Sequence, residues 1–210
     1  LLFHFLNGHP YYFDLFLDEA RKRSRGQHPF AWSREFLLEV ITETIFSDRG
    51  LLNRHFEFEL RGLLAVGREP WSYAKVLLAV AHGRFKLAQI AAYTGKKIPE
   101  IQKILQRLLG EGFLEKRGSF FRLPDSLFRF WLRQVYLLKE RDLGFDRGRT
   151  RAYFQSRLKN EIQKVEEEDR LDLTARLEAL FREFRNDVVE VEQKKIRCPA
   201  FLEVATRPTN

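Results

Sequence analysis

The stretch from Tyr73 to Trp131 constrains the fold of this chain most, because its apolar residues recur at helical spacing between clear stop signals. Three short helical patterns follow one another, and Gly83 and Gly95 end the first two. Pro99 suits the first turn of the third helix, where its missing N–H costs nothing. The apolar positions are Val76, Leu77, Val80 and Ala81, then Leu87, Ile90 and Ala91, then Ile101, Ile104, Leu105 and Leu108.

A two-stranded hairpin is predicted directly after the third helix. That helix ends near Gly110, and Phe113-Leu114 begins a strand. Residues 115–119 have the composition of a polar turn, and residues 120–123 return as the second strand. Helix, helix, turn, helix and a two-stranded wing is the order of a winged helix-turn-helix, in which the last of these helices enters the major groove of DNA.

The net charge of +8 is concentrated on this same part of the chain. Residues 1–67 hold 8 Lys/Arg and 9 Asp/Glu, residues 68–150 hold 17 and 8, and residues 151–210 hold 12 and 12. A basic excess confined to one module is typical of proteins that bind the phosphate backbone of nucleic acids. A solubilising surface, or a face docked on an acidic partner domain, would have the same composition.

Nine polar residues are the predicted contacts to double-stranded DNA, because they lie off the apolar stripe of the third helix, at its start or in the wing. They are Lys96 and Lys97 at the helix start, Gln102, Lys103, Gln106 and Arg107 on its polar face, and Lys116, Arg117 and Arg122 in the wing. Glu100 and Glu111 reduce the positive potential of this helix.

The first 67 residues are predicted to form a helical, lid-like bundle. Asn7 or Gly8 caps a helix that Pro10 opens, Ser33 caps a second helix, and residues 51–64 form a third. The inward-facing residues are Tyr11, Tyr12, Leu15 and Phe16 in the first helix, and Phe36, Leu37, Val40, Ile41 and Ile45 in the second.

The part after the wing begins with an aromatic helix. Trp131 falls on a stripe with Leu127, Phe130 and Gln134, which favours core packing over stacking on bases. Arg129 and Arg133 are expected on the outer face of this helix.

A linker is predicted from Leu137, with a boundary near 140–150. Helices over 152–165 and from Asp172 or Thr174 follow, with the acidic run 166–169 as a solvated helix end. Short strands come last: residues 193–195 turn, residues 196–198 return, and residues 201–205 add a third strand.

The predicted fold class is therefore mainly α, in three parts. A lid-like domain spans 1–67, a winged helix-turn-helix spans 68–140, and a small α+β region spans 141–210.

Two segments resemble parts of a known family. Gly8-His9-Pro10 is similar to the glycine-any-proline motif that opens the helical lid of archaeal-type ATPases of the STAND branch of the AAA+ superfamily. The sequence LPDSLFRFWLRQVY, residues 123–136, resembles the helix directly after the wing of that family. The family's order, lid then winged helix, is repeated over roughly residues 8–136.

The resemblance implies a role for this chain within a larger ATPase. Pro10 would lie close to the nucleotide in the parent protein, and the upstream ATPase core would be a partner. ATP and magnesium would be bound by the parent and not by this chain. Some family members carry a nuclease-like domain after the winged helix, but its Asp…Glu-x-Lys metal site is not completed here.

The sequence contains no catalytic motif. G-x-x-x-x-G-K-[ST] is absent, so no such loop can cradle a triphosphate. The histidines show no metal-ligand spacing among themselves or with Cys198, and His55 is interpreted as a half-buried packing residue. We expect no catalytic residues, cofactor or metal site in this chain, and neither ATPase nor magnesium-dependent nuclease activity. The five histidines are His4, His9, His28, His55 and His82.

The composition favours a cytoplasmic protein. No apolar run approaches the ~20 residues that span a bilayer, and the single cysteine excludes an internal disulfide framework. The lack of methionine, even at the first position, indicates a fragment of a longer protein.

Three hypotheses for function follow. The first is a DNA-binding winged-helix module of an AAA+/STAND-type ATPase. The alternative is a protein-interaction or regulatory module that packs on that ATPase and does not contact DNA, because a fold does not determine function. The third, an enzyme with its active site in residues 151–210, has no completed motif to support it.

Overall fold

The chain is mainly helical, as the sequence predicts. The computed structural model describes residues 5–6, 8–24, 32–65, 69–141, 147–183, 188–191 and 194–197. Its helices are α1 (Pro10–Ser24), α2 (Arg34–Ile45), α3 (Leu51–Ala65), α4 (Pro70–Ala81), α5 (Leu87–Thr94), α6 (Ile98–Gly110), α7 (Ser126–Trp131), α8 (Leu137–Arg141), α9 (Arg147–Arg170) and α10 (Leu173–Glu183). The antiparallel hairpins are β1 (Glu115–Arg117) with β2 (Phe120–Arg122), and β3 (Val188–Val191) with β4 (Lys194–Arg197).

Helices α1, α2 and α3 pack against one another and bury one apolar face each. Ser33 caps α2 as predicted, since its hydroxyl accepts a hydrogen bond from Phe36 N at 3.1 Å. Phe16, Ile41 and Phe56 fill the space between the three helices and are almost wholly buried. His55 is half-buried among aromatic rings, as the sequence indicates.

Helices α4, α5 and α6 form a second packed group that leads into the first hairpin. Gly95 ends α5 in the left-handed conformation, with φ of 71°, which a residue with a side chain rarely adopts. Lys86, between α4 and α5, forms a β-bridge with Phe120, and Phe121 N donates to Phe85 O at 2.8 Å. These contacts hold the hairpin against the segment that precedes α5.

Trp131 connects the two groups of helices. Its side chain is fully buried, stacks on Phe128 with ring centroids 5.8 Å apart, and packs against Phe56 of α3. Its indole Nε1 donates a hydrogen bond to Asn53 Oδ1 at 2.8 Å, also in a buried position. Packing in the core is therefore confirmed for Trp131, and stacking on bases is excluded.

The helix that contains Trp131 continues through a π-helical turn, Leu132–Tyr136, into α8. The prediction of a linker from Leu137 is thus wrong for residues 137–141. Lys139 of α8 contacts Glu57 Oε1 at 2.8 Å and Asp48 Oδ1 at 2.9 Å, and these ion pairs hold the helix to α3 and its preceding turn.

Helix α9 joins the first bundle rather than standing apart from it. Phe154, Leu158 and Ile162 are buried in the same apolar cluster as α1–α8. Arg151 pairs with Glu39 and Glu43 of α2. The core is thus continuous from α1 to α9, across both domain boundaries that the composition predicts, and the three-part division stays a prediction.

Two predictions about side-chain orientation are wrong. Tyr12 and Phe16 face inward, but Tyr11 is 46% exposed. The buried side of α1 is formed by Tyr12, Phe16 and Ala20, which follow one another at intervals of four residues, and Tyr11 lies outside that stripe. Arg133 does not lie wholly on an outer face, since its Nε is buried without a hydrogen-bond partner among the described residues.

Two predicted turns also differ from the structure. Residues 115–117 form strand β1 and not a turn, which is limited to Gly118 and Ser119. Lys194 and Lys195 lie in β4 and not in a turn. The charged residues that suggested turns lie in these strands, and most of them face solvent. The hydrophobic pattern of the sequence therefore does not identify the two strands.

Helix α9 is longer than predicted at its N-terminal end. It begins at Arg147 rather than near 152 and ends at Arg170, so the acidic run 166–169 lies in its last turn, at the end of the helix as predicted. Glu166 there accepts a hydrogen bond from Arg34 at 3.1 Å.

Some predictions fall on residues outside the described ranges. They concern the cap at Asn7, the histidines His4 and His28, the linker residues 142–146, Cys198 and the third strand at 201–205. None of the helices in the described ranges is both long and apolar enough to cross a membrane.

Removal of the Trp131 side chain should destabilise the whole fold. We expect Trp131→Ala to lower the free energy of unfolding by about 3–5 kcal/mol, because it leaves a large cavity and an unpaired amide at Asn53. Urea unfolding followed by circular dichroism measures this loss. As a control, Trp71→Ala removes an indole that is 57% exposed and should cost only about 0.5 kcal/mol. Equal losses in the two variants would contradict the role of Trp131.

A second prediction concerns the hydrogen bond between α1 and the start of α7. Tyr12 Oη donates to Asp125 Oδ2 at 2.5 Å, while Asp125 Oδ1 caps α7 by accepting from Leu127 N. Burial, and then the hydrogen bond to Asp125, raise the pKa of Tyr12 well above its ordinary value of 10.0. We expect Tyr12→Phe to cost about 1.5 kcal/mol at pH 7.

The pH dependence supplies the control for that variant. Because the pKa of Tyr12 is raised in the folded state, its contribution is complete below pH 10 and is lost as pH rises further. The stability difference between wild type and Tyr12→Phe should therefore shrink above pH 10. Tyr11→Phe, at the exposed neighbouring position, should show no such difference at any pH.

Candidate nucleic-acid interface

Helix α6 presents a polar face beside a fully apolar one. Ile101, Ile104, Leu105 and Leu108 are buried, as their spacing predicts. Four of the predicted DNA contacts lie away from this apolar face and are exposed to solvent. They are Lys97, Gln102, Lys103 and Gln106.

The start of α6 favours a negatively charged ligand. Lys97 is the N-cap residue, Pro99 has no N–H, and Glu100 N donates to Lys97 O at 3.1 Å, so Ile98 supplies the backbone N–H that points outward from the helix end. Such a helix end carries a partial positive charge. The Lys97 side chain is exposed beside it, with no ion-pair partner in the described part of the chain.

Lys96 is engaged within the chain. Its Nζ contacts Glu69 Oε2 at 2.6 Å and Glu100 Oε2 at 3.4 Å, and its side chain is only 23% exposed. The hydrogen bond to Glu69 raises the pKa of Lys96. Hydrogen bonds from Lys96 and then Ser72 lower the pKa of Glu69. Of the two predicted lysines at this helix start, the structure therefore leaves Lys97 open and neutralises Lys96.

Arg107 lies against the helical bundle. Its guanidinium is 5.5 Å from the ring centre of Tyr73 and 3.9 Å from Glu111 Oε1. It lines a cleft of about 480 Å³ together with Tyr12 and Phe58. The structure thus separates Arg107 from the exposed residues of α6 with which the sequence grouped it.

The first hairpin carries the three remaining predicted contacts, and all are exposed. Arg122 Nε donates to Glu115 Oε2 at 3.1 Å, and Arg117 lies 3.7 Å from the same carboxylate. Lys116 extends over the ring of Phe121, with Nζ 5.7 Å from its centre. One carboxylate against three cations leaves the hairpin positively charged.

A cleft of about 410 Å³ separates α6 from this hairpin. Gln102 and Gln106 line it from the helix, and Lys116 and Ser119 line it from the hairpin. The structure therefore brings these three predicted contacts to one concave surface, although they are up to 14 residues apart in sequence. Gln102 and Gln106 are four residues apart, so both amides lie on the side of α6 that faces the cleft.

Sequence reasoning missed Lys86. Its Nζ lies 5.4 Å from the ring centre of Phe120, and its backbone forms the bridge to the same residue. The extended pair Phe85-Lys86 between two helical patterns was the available signal. Lys86 adds a cation to the side of the hairpin that contacts the segment before α5.

Pro10 is the first residue of α1 and is exposed. Its neighbour His9 stacks on Tyr12 with ring centroids 4.2 Å apart. Within the described ranges, no three His, Cys, Asp or Glu side chains come together as a potential metal site.

Comparisons with known proteins found no relative. A scan against protein-family models, a search of curated proteins and a search of solved structures each returned no match.

The engagement of Lys96 has a measurable consequence. We expect Glu69→Gln to lower the pKa of Lys96, because the variant removes the carboxylate that accepts its shortest hydrogen bond. Titration of the lysine side chain by NMR reports this pKa directly. Glu111→Gln, which removes a carboxylate beside Arg107, should leave the pKa of Lys96 unchanged.

The same pair has a defined pH window. The raised pKa of Lys96 makes its contribution complete below its ordinary value of 10.5, and the lowered pKa of Glu69 makes its contribution complete above 4.5. An unchanged pKa of Lys96 in Glu69→Gln would show that the pair does not form in solution.

Proposed function

We propose that residues 70–122 form a winged helix-turn-helix that binds double-stranded DNA. The observation that carries this proposal is the cleft between α6 and the β1–β2 hairpin, which Gln102, Gln106 and Lys116 line, together with the exposed lysines and arginines elsewhere on the same two elements. The bridge between Lys86 and Phe120 supports it, because the hairpin is held against the segment between the first two helices. In such a module α6 enters the major groove and the hairpin contacts the adjacent backbone.

The roles of the individual residues follow from their chemistry. Lys97, at the helix start, binds a phosphate together with the backbone N–H of Ile98. Lys116, Arg117 and Arg122 bind phosphates from the hairpin. Lys103 is exposed on α6 without an ion-pair partner among the described residues, and it supplies charge at the groove.

Gln102 and Gln106 are suited to contact bases. A glutamine amide has one donor and one acceptor, which match N7 and the N6 amino group of adenine in the major groove. Their spacing of one helical turn places the two amides about 6 Å apart along α6. In this proposal the lysines and arginines supply most of the affinity through phosphate contacts. Base contacts from the two glutamines would add a preference for particular DNA sequences.

The proposal extends to a parent protein. The module belongs to an AAA+/STAND-type ATPase whose upstream core binds ATP and magnesium, and Pro10 of the lid-like bundle lies near that nucleotide. The support for this step is the order of segments, from Gly8-His9-Pro10 to the aromatic helix α7. The present residues contain no Walker motif, so no step of ATP hydrolysis is assigned to them.

A second candidate function is favoured by one feature of the bundle. Phe58 is 78% exposed at the rim of the cleft that Tyr12, Phe113 and Phe128 line. An exposed aromatic side chain beside an aromatic cleft is typical of a protein-interaction surface. This surface would dock the module on the ATPase core, in agreement with the regulatory alternative.

DNA binding should follow the electrolyte behaviour of phosphate contacts. We expect a labelled duplex to bind with a Kd of roughly 10⁻⁴–10⁻⁶ M at physiological salt, and log K to fall linearly with log salt. Fluorescence anisotropy over a salt series measures both quantities. No binding at low salt and high protein concentration would favour the docking role over DNA binding.

Variants of exposed lysines locate the interface within that experiment. Lys103→Ala should weaken binding and reduce the salt slope by about one unit without changing stability. Lys164→Ala provides the control, because Lys164 is exposed on α9, which packs on α2. Equal effects of the two variants would indicate that α6 is not the DNA face. Arg107→Ala is a poorer probe, since it also removes the contact with Tyr73.

A further inference from the structure

The second hairpin presents a row of cations. In β4 the side chains of Lys194, Lys195 and Arg197 are all exposed. None of the three has an ion-pair partner among the described side chains. The sequence assigned no role to this region, whose overall charge from residue 151 to residue 210 is zero.

This hairpin lies next to the first one. Ser119, in the turn between β1 and β2, has its Oγ 3.5 Å from the backbone oxygen of Val188. Val188 is the first residue of β3 and pairs with Arg197, the last residue of β4. The open end of the second hairpin is therefore the end that meets the turn of the first.

The register places the cations in order along this junction. Arg197 is one strand spacing, about 4.8 Å, from Val188. Lys194 lies three residues further along β4, or about 10 Å at the usual rise of 3.3 Å per residue. In the first hairpin, Arg117 is two residues from Ser119. Basic side chains thus stand on both sides of the contact between Ser119 and Val188.

The spacing of these cations suits a nucleic-acid backbone. Side chains alternate between the two faces of a strand, so Lys195 and Arg197 share one face of β4, about 7 Å apart, and Lys194 lies on the other. Duplex DNA carries one negative charge per roughly 1.7 Å of helix axis, so two cations at this spacing can each face a phosphate. Long, exposed lysine and arginine side chains reach phosphates without a fixed geometry, which favours positioning over base recognition. A carboxylate surface on a protein would present far fewer charges over the same length.

We propose that the β3–β4 hairpin is a second backbone-binding element, and that Lys195 and Arg197, which share one face of β4, contact phosphates adjacent to those bound by the first hairpin. The two hairpins then form one continuous basic edge with α6 behind the first of them. This inference rests on the proposed DNA-binding function and extends the interface to the C-terminal region.

The test compares two variants with the same loss of charge. One carries Lys194→Ala, Lys195→Ala and Arg197→Ala, and the other carries Lys159→Ala, Lys164→Ala and Arg170→Ala on the exposed side of α9. We expect the hairpin variant to bind a duplex more weakly and to lose about two units of salt slope, one each for the phosphate contacts of Lys195 and Arg197. The α9 variant should keep the wild-type slope.

Two further measurements keep the outcome decisive. A version with glutamine at the same three hairpin positions retains side-chain length and hydrogen-bonding capacity, so it separates loss of charge from loss of strand structure. It should bind as weakly as the alanine version. Hydroxyl-radical footprinting should also show a shorter protected stretch for both hairpin variants than for wild type.

Each possible result decides a different point. If wild type binds DNA and responds to Lys103→Ala, but the hairpin and α9 variants behave alike, the second hairpin is not part of the interface and only this inference fails. If wild type does not bind duplex DNA at all, the proposed function fails with it. Binding of duplex RNA but not DNA, with the same dependence on the second hairpin, would overturn the assignment of DNA as the partner.

Discussion

The buried hydrogen bond from the Trp131 indole to the Asn53 amide is the contact on which the rest of the structure depends. A polar group in a core costs free energy unless it is paired, so this bond allows only one relative placement of α3 and α7. Asn53 also donates to Glu57, which in turn accepts from Lys139 of α8. This short polar chain within an aromatic cluster therefore links α3 with α7 and α8 from inside the protein.

That arrangement leaves the opposite side of the molecule free to carry charge. The apolar residues of α6 are used in packing, so its polar side and the hairpin face solvent as one concave surface. Carboxylates lower the positive charge at two places on this surface. Glu69 and Glu100 form ion pairs with Lys96, and Glu115 forms ion pairs with Arg117 and Arg122. The remaining cations, Lys97, Lys103 and Lys116, define where a polyanion would bind most strongly. Recognition surfaces of this kind depend on a rigid support, which the continuous core from α1 to α9 provides.

The sequence predicted the helices well and the exposed strands poorly, and the difference has a physical reason. The buried residues of α6 recur with the helical period because they pack on one core, so their spacing in the sequence predicts the helix. They are Ile101, Ile104, Leu105 and Leu108. Strands β1 and β4 have mostly charged, exposed residues and are held by backbone hydrogen bonds, which any residue except proline can make. For the same reason Lys86 was missed, and the distinct environments of Lys96 and Arg107 were not visible, since both depend on partners distant in sequence.

The π turn at Leu132–Tyr136 has a consequence for how this protein can change in length. Leu137 N donates to Leu132 O, five residues back, so the helix accommodates one more residue than an α-helix would over the same rise. Each helical residue rotates the chain by about 100°. Because the bulge already absorbs the extra residue, loss of one residue from this turn would regularise the helix and leave α8 close to its present orientation, with Lys139 still facing Glu57 and Asp48. Loss of a residue from the regular helix on either side would instead turn α8 by about 100°. The π turn is therefore the point in this helix at which related chains are expected to tolerate a change of one residue in length.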